Sequence, residues 1–190
     1  MSKNFTIPTY LTFIRLFSPI LILLSVLTFN SQIYEFVILI IFILASITDY
    51  LDGFLARKYN LTSELGRILD PIADKVLTLS TLVILIYINS APIVPTIIIL
   101  FREIFISGIR EALGSLKLAS LKVSFLSKIK TTIQFIAISI LCGNKSLESF
   151  TGYETYLIGE YLIWIASFIT IYTGISYCYK VVSEIKKVKL

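Results

Sequence analysis

The chain has 190 residues, 56% of them hydrophobic and only 15% charged, with a mean hydropathy of +0.88 and a formal charge of +5. A soluble domain carries about 25% charged residues, so an ordinary water-soluble fold is excluded and one integral membrane domain over 1–190 is expected. The basic surplus fits cytoplasmic flanks beside anionic lipid, and nucleic acid is not expected as a partner.

Residues 2–9 mix Phe5 and Ile7 with Lys3, Asn4 and Thr6, which predicts a brief interfacial helix ending near Pro8. No small-residue cleavage site follows, so the first apolar segment is expected to be retained. Span one is expected at 10–29, with Arg15 near its entry, where it snorkels or faces a site. Asn30-Ser31-Gln32 predicts a turn, and span two covers 33–57. A polar loop at 58–63 leads into span three at 64–88, and Asn89-Ser90-Ala91-Pro92 turns the chain again. Span four is expected at 93–113, a weakly apolar connection at 114–127, and span five at 127–141. A polar loop at 143–153 precedes span six at 155–179, and the tail is basic. Cys142 and Cys178 lie in apolar runs and are expected as buried, inert thiols.

The expected fold is therefore all-α. It is a polytopic membrane protein with six transmembrane helices of about 20 residues each and a short N-terminal interfacial helix. The turns at 30–32 and 89–92 and the loop at 143–154 carry Lys145 as their basic residue. The opposite side collects Lys3, Arg57, Lys58, Arg67, Lys117, Lys122 and the tail lysines. The positive-inside rule places both termini and the polar helix ends in the cytoplasm, with the chain in the cell (inner) membrane.

All four aspartates of the chain fall between Asp49 and Asp74. Residues three or four apart share a helix face, so Asp49, Asp52, Gly53, Ala56 and Arg57 form one stripe, and Gly66, Asp70 and Asp74 form another. If the two helices pack together, four carboxylates converge near lipid, and divalent cations must neutralise them. Oxygen ligands in a chain without histidine suit Mg²⁺ or Mn²⁺, in a two-ion arrangement. The plainer reading is a salt-bridged helix pair with Arg57, Lys58 and Arg67 as counter-ions. Small residues at Gly53, Ala56 and Gly66 favour a closely approaching ligand instead.

A basic group answers the acidic one. Arg102 and Arg110 share a face of span four, and Lys128 and Lys130 open span five. Such charges within helices need an anionic partner; Glu103 and Glu111 can supply part of it, and a phosphate can supply the rest. Carboxylate-held metals beside an anion pocket suit phosphoryl transfer between a lipid and a polar acceptor, with a carboxylate taking the acceptor's proton.

The pattern Asp49-x2-Asp52-Gly53-x2-Ala56-Arg57-x8-Gly66-x3-Asp70-x3-Asp74 resembles the signature of the CDP-alcohol phosphatidyltransferases, with every fixed position filled. The resemblance implies a six-helix membrane enzyme, often dimeric, that moves a phosphatidyl group from CDP-diacylglycerol to an alcohol and releases CMP. It implies Asp49, Asp52, Asp70 and Asp74 at the metals, with Asp74 as general base. It also implies Asp49, Asp52, Gly53, Ala56, Arg57 and Gly66 at the CDP site, with Arg57 on the pyrophosphate. The segments 7–16, 102–114 and 127–138 are similar to family members whose acceptor is glycerol 3-phosphate, which implies Arg102, Arg110 and one or both of Lys128 and Lys130 on the acceptor phosphate. Thr6, Thr9 and Ser127 depart from the residues common there. Rival expectations are another acceptor (inositol phosphate or phosphatidylglycerol) and, from a different class, a small cation transporter.

Overall fold

The computed structural model describes residues 6–59, 63–115 and 125–188, without the side chains of 7, 32, 50, 52–59, 115, 187 and 188. Within them lie seven α-helices: α1 (Ile7–Thr28), α2 (Ser31–Tyr59), α3 (Glu64–Tyr87), α4 (Ile93–Ser115), α5 (Phe125–Cys142), α6 (Asn144–Thr151) and α7 (Thr155–Val188). The all-α class and six long helices match the hydropathy reading. Three stretches, Pro8–Thr28, Phe125–Cys142 and Thr155–Lys186, are long and apolar enough to cross a membrane among the described residues. Helices α2, α3 and α4 have the length, at 29, 24 and 23 residues. Helix α3 carries Asp70 and Asp74 of the motif beside Glu64, Arg67 and Lys75, and α4 carries Arg102 and Arg110 beside Glu103 and Glu111.

Two expectations fail in detail. Residues 7–9 do not end an interfacial helix: Pro8 sits in the first turn of α1, which continues without a break to Thr28. Proline is tolerated there because the first-turn N–H groups have no helical partner anyway. The remainder of the expected interfacial helix, 2–5, lies outside the described residues. The polar stretch at 143–153 is also not simply a loop, because it holds the eight-residue helix α6.

The chain forms two compact units. The first comprises Met1–Ser90 and Ser139–Tyr156, and the second Ala91–Ile138 and Leu157–Leu190. In the first unit α1 packs along both α2 and α3, and α2 also touches α3 and α6. Helix α1 is built inside out. Ile14, Phe17, Ile20, Leu21 and Leu24 are exposed, whereas Thr9, Thr12, Arg15 and Ser18 are buried. A helix whose outer solvent is lipid arranges itself this way, since an apolar face costs nothing there and polar groups need partners inside. Pro19 lies within α1 and lacks the N–H that would bond the Arg15 carbonyl. The Ser18 hydroxyl donates to that same carbonyl at 2.7 Å and closes the gap.

At the other end of α2, Glu35 is 2% exposed. Its Oε2 accepts from the backbone N–H groups of Lys145 at 2.7 Å and Ser146 at 3.3 Å. Gly143 stands at the N-cap of α6 and has no side chain to cap it, so Glu35 does so from a distant helix. The site is tight: a Cβ on Gly143 would lie 2.8 Å from Leu39 Cδ2, so a larger residue would have to displace that side chain. Replacing Glu35 with alanine is expected to cost about 2 kcal/mol and to speed hydrogen exchange of the Lys145 and Ser146 amides. Unchanged thermal unfolding in detergent together with unchanged exchange would refute that role.

In the second unit, two arginines of α4 reach α7: Arg102 meets Thr173 and Arg110 meets Tyr177. Lys130 of α5 reaches Glu103 of α4. Both cysteines are free; Cys142 is buried as expected, while Cys178 is half-buried.

Candidate active site

The first half-site is assembled by α1 on the ends of α2 and α3. Ser63, the N-cap of α3, accepts from the Gly66 N–H at 2.9 Å, which fixes the turn that carries the second part of the motif. Ser63 is hydrogen-bonded at 2.7 Å to the Thr9 hydroxyl, and Thr9 in turn at 3.0 Å to Thr6. Gly66 is buried at this junction: an added Cβ would lie 3.0 Å from Ser63 Oγ and 3.4 Å from Thr9 Oγ1. Its smallness therefore serves the approach of α3 to α1.

One turn further along α1, Thr12 donates to Asp70 Oδ1 at 2.6 Å. Another turn on, Arg15 Nη1 pairs with Asp49 Oδ1. Arg15 is fully buried and the Asp49 side chain is 51% exposed, so the carboxylate still has an open flank. A buried guanidinium with no anion would be very costly, and Asp49 supplies the counter-charge. Asp70 is half-buried, while Asp74, one turn beyond it on α3, is exposed. Asp52, Gly53, Ala56 and Arg57 lie on the final turns of α2, with side chains outside the described residues. Among the described residues no three acidic or sulfur-bearing side chains converge tightly enough to hold a metal. The expected set of four is thus described for Asp49, Asp70 and Asp74. These three offer only carboxylate oxygen, the donor chemistry that suits a hard divalent cation.

The basic group lies in the second unit and divides in two. Glu103 accepts from the half-buried Arg102 at 3.0 Å and also from the buried Lys130, so one carboxylate serves two cations. Arg102 Nη2 donates to Thr173 at 3.3 Å, while its Nε has no hydrogen-bond partner among the described residues. Gly174 makes room for the arginine stem, since a Cβ there would lie 3.2 Å from Arg102 Cγ. Buried Gln134 Oε1 and Thr170 Oγ1 likewise have no partner among the described residues. Gln134 is one turn from Lys130 and Thr170 one turn from Thr173. Arg110 is outside this network, exposed, with its guanidinium carbon 5.3 Å from the centre of the Tyr177 ring. Lys128 is exposed.

The profile described as CDP-alcohol phosphatidyltransferase matches residues 5–172. The chain belongs to this family of transferases. A relative from Rickettsia bellii is 41% identical over 178 residues, covering 93% of this transferase and 96% of the relative. One from Cereibacter sphaeroides is 37% identical over 222 residues, covering 98% and 100%. A third, from Bacillus subtilis, is 37% identical over 139 residues, covering 73% and 69%. All three bear the name CDP-diacylglycerol–glycerol-3-phosphate 3-phosphatidyltransferase. The matched region of this transferase runs through both units, so the half-site and the basic group both fall inside it.

Sequence reasoning found the aspartates of the transferase but missed Thr9, Thr12 and Ser63. For the two threonines the signal is present: Thr9, Thr12, Arg15 and Ser18 recur every three residues in the first half of a mostly apolar helix. The sequence allows Arg15 either to snorkel or to face a site, and it faces Asp49.

Proposed function

We propose that this chain is a phosphatidylglycerophosphate synthase: it transfers the phosphatidyl group of CDP-diacylglycerol to glycerol 3-phosphate, giving phosphatidylglycerophosphate and CMP. The observation that carries the reading is the completely filled aspartate motif, joined to relatives of that name that align over nearly the whole chain.

Asp49, Asp52, Asp70 and Asp74 would hold two Mg²⁺ or Mn²⁺ ions. When bound, such ions neutralise the CDP pyrophosphate and make its lipid-linked phosphorus more electrophilic. The remaining tasks fall to the chain. Gly53, Ala56, Arg57 and Gly66, with the first two aspartates, line the CDP site, and Arg57 pairs with the pyrophosphate. Arg102, Arg110, Lys128 and Lys130 hold the acceptor phosphate. Asp74 takes the proton of an acceptor hydroxyl as its oxygen bonds to phosphorus and the bond from phosphorus to the CMP oxygen breaks. In the same reading α1–α5 and α7 are six membrane spans, the site and both termini face the cytoplasm, and the enzyme is a homodimer.

The test is an acceptor panel with labelled CDP-diacylglycerol in detergent micelles, run on wild type and on Arg110→Ala. Arg110 is the cleaner probe because Arg102 and Lys130 are tied to Glu103. Losing one charge-assisted contact of about 1.5–3 kcal/mol is expected to raise the KM for glycerol 3-phosphate roughly ten- to a hundredfold, with a much smaller change for CDP-diacylglycerol. Equal loss for both substrates would make Arg110 structural. A wild-type enzyme that used inositol phosphate or phosphatidylglycerol and ignored glycerol 3-phosphate would overturn the acceptor.

A further inference from the structure

We infer that Thr12 is a positioning residue for the reaction: its hydroxyl fixes one oxygen of Asp70 and so aims the other at the cation. The inference rests on the proposal that Asp70 is a metal ligand. Thr12 belongs to α1, outside the aspartate motif, and is 1% exposed.

A threonine hydroxyl has one proton to give. Two acceptors lie within reach, the Pro8 carbonyl at 3.1 Å and Asp70 Oδ1 at 2.6 Å. The shorter distance falls in the range of a hydroxyl bonded to an ionised oxygen, about 2.5–2.7 Å, and such bonds are roughly twice as strong as neutral ones. The proton is therefore committed to Asp70. The branched Cβ and full burial leave Thr12 little rotational freedom, so the contact is a fixed point.

Asp70 needs one. Pro71 follows it inside α3 and lacks the N–H that would bond the Arg67 carbonyl, so the helix is weakened where the carboxylate leaves it. The Thr9–Ser63–Gly66 chain of hydrogen bonds fixes the first turn of α3 against α1. Thr12 then sets the torsion of the side chain itself. Thr12 takes one lone pair of Oδ1 and fixes the carboxylate plane, so Oδ2 is the freer oxygen for a ligand. Groups that hold a metal ligand in this way change metal affinity or activity about 10–100-fold when removed.

The test uses the full-length enzyme in detergent and Mn²⁺ as probe. Free Mn²⁺ is counted by electron paramagnetic resonance, without turnover, in wild type, Thr12→Val, Thr12→Ser and Asp70→Asn. Thr12→Val keeps the shape and removes the hydroxyl, and it is expected to weaken Mn²⁺ binding about 10–100-fold. Half-maximal activity should need more Mn²⁺ by a similar factor, with the KM for glycerol 3-phosphate unmoved. Thr12→Ser, which restores the donor, should return both values toward wild type. A role confined to packing would lower the unfolding temperature of Thr12→Val but leave the Mn²⁺ affinity of the folded protein alone, and that result overturns the inference. So does a serine variant as defective as valine. If instead wild type and Asp70→Asn bind Mn²⁺ equally, the metal reading of Asp70 fails, and the inference fails with it.

Discussion

Asp74→Asn is expected to reduce turnover by at least about 10²–10⁴-fold, the usual contribution of a positioned general base. Transfer to a hydroxyl needs a group that accepts its proton, and the chain contains no histidine to serve. Asp74 is exposed on α3, one turn beyond Asp70, on the stripe that Ser63 and Thr12 tie to α1. Asparagine keeps the shape and one oxygen but cannot take up a proton near neutral pH. CDP-diacylglycerol binding should weaken while remaining measurable, because Asp49, Asp52 and Asp70 are untouched. Near wild-type turnover by the purified variant at neutral pH would remove Asp74 from the role of base.

Stripping divalent cations should abolish activity altogether, and Mg²⁺ or Mn²⁺ should restore it. Asp49 and Asp70 each have one oxygen engaged by α1, and the donor set is carboxylate throughout. Ca²⁺ should substitute poorly, since it prefers more ligands at longer distances than a compact octahedral site offers. The measurement is turnover in excess chelator, with metal removal checked by elemental analysis. Full activity there would sink the four-carboxylate reading.

Periodicity located the six long helices because each buries or exposes long apolar runs whose ends are marked by short polar turns. Asn89, with φ of 57°, marks such an end in a conformation that asparagine tolerates. What periodicity could not supply was α6. An eight-residue helix is too short to be stable alone, and Glu35, the group that caps it, lies 110 residues earlier in the sequence. Pro8 misled for a related reason, since proline marks a helix start as readily as an end. At the site, the aspartates stood out by their concentration in one stretch. Thr12 did not, because a threonine in an apolar helix ordinarily bonds its own backbone, and only the packing of α1 on α3 gives it a carboxylate. Glu103 is legible in the sequence as a partial counter-ion; that it serves Arg102 and Lys130 together depends on the approach of α5 to α4.

The pairing of Arg15 with Asp49 bears on how the chain enters the bilayer. Synthesis runs from the N-terminus, so the first apolar helix is finished while its counter-ion, 34 residues later, has yet to be made. An arginine within a lone membrane helix disfavours insertion, by up to roughly 2.5–3.5 kcal/mol at the centre and by less toward the end where Arg15 lies. That penalty is lifted when α2 arrives with its carboxylate. In the six-span reading proposed above, the first two helices are best integrated as a hairpin, and the charge that organises the half-site also couples the two segments during biogenesis.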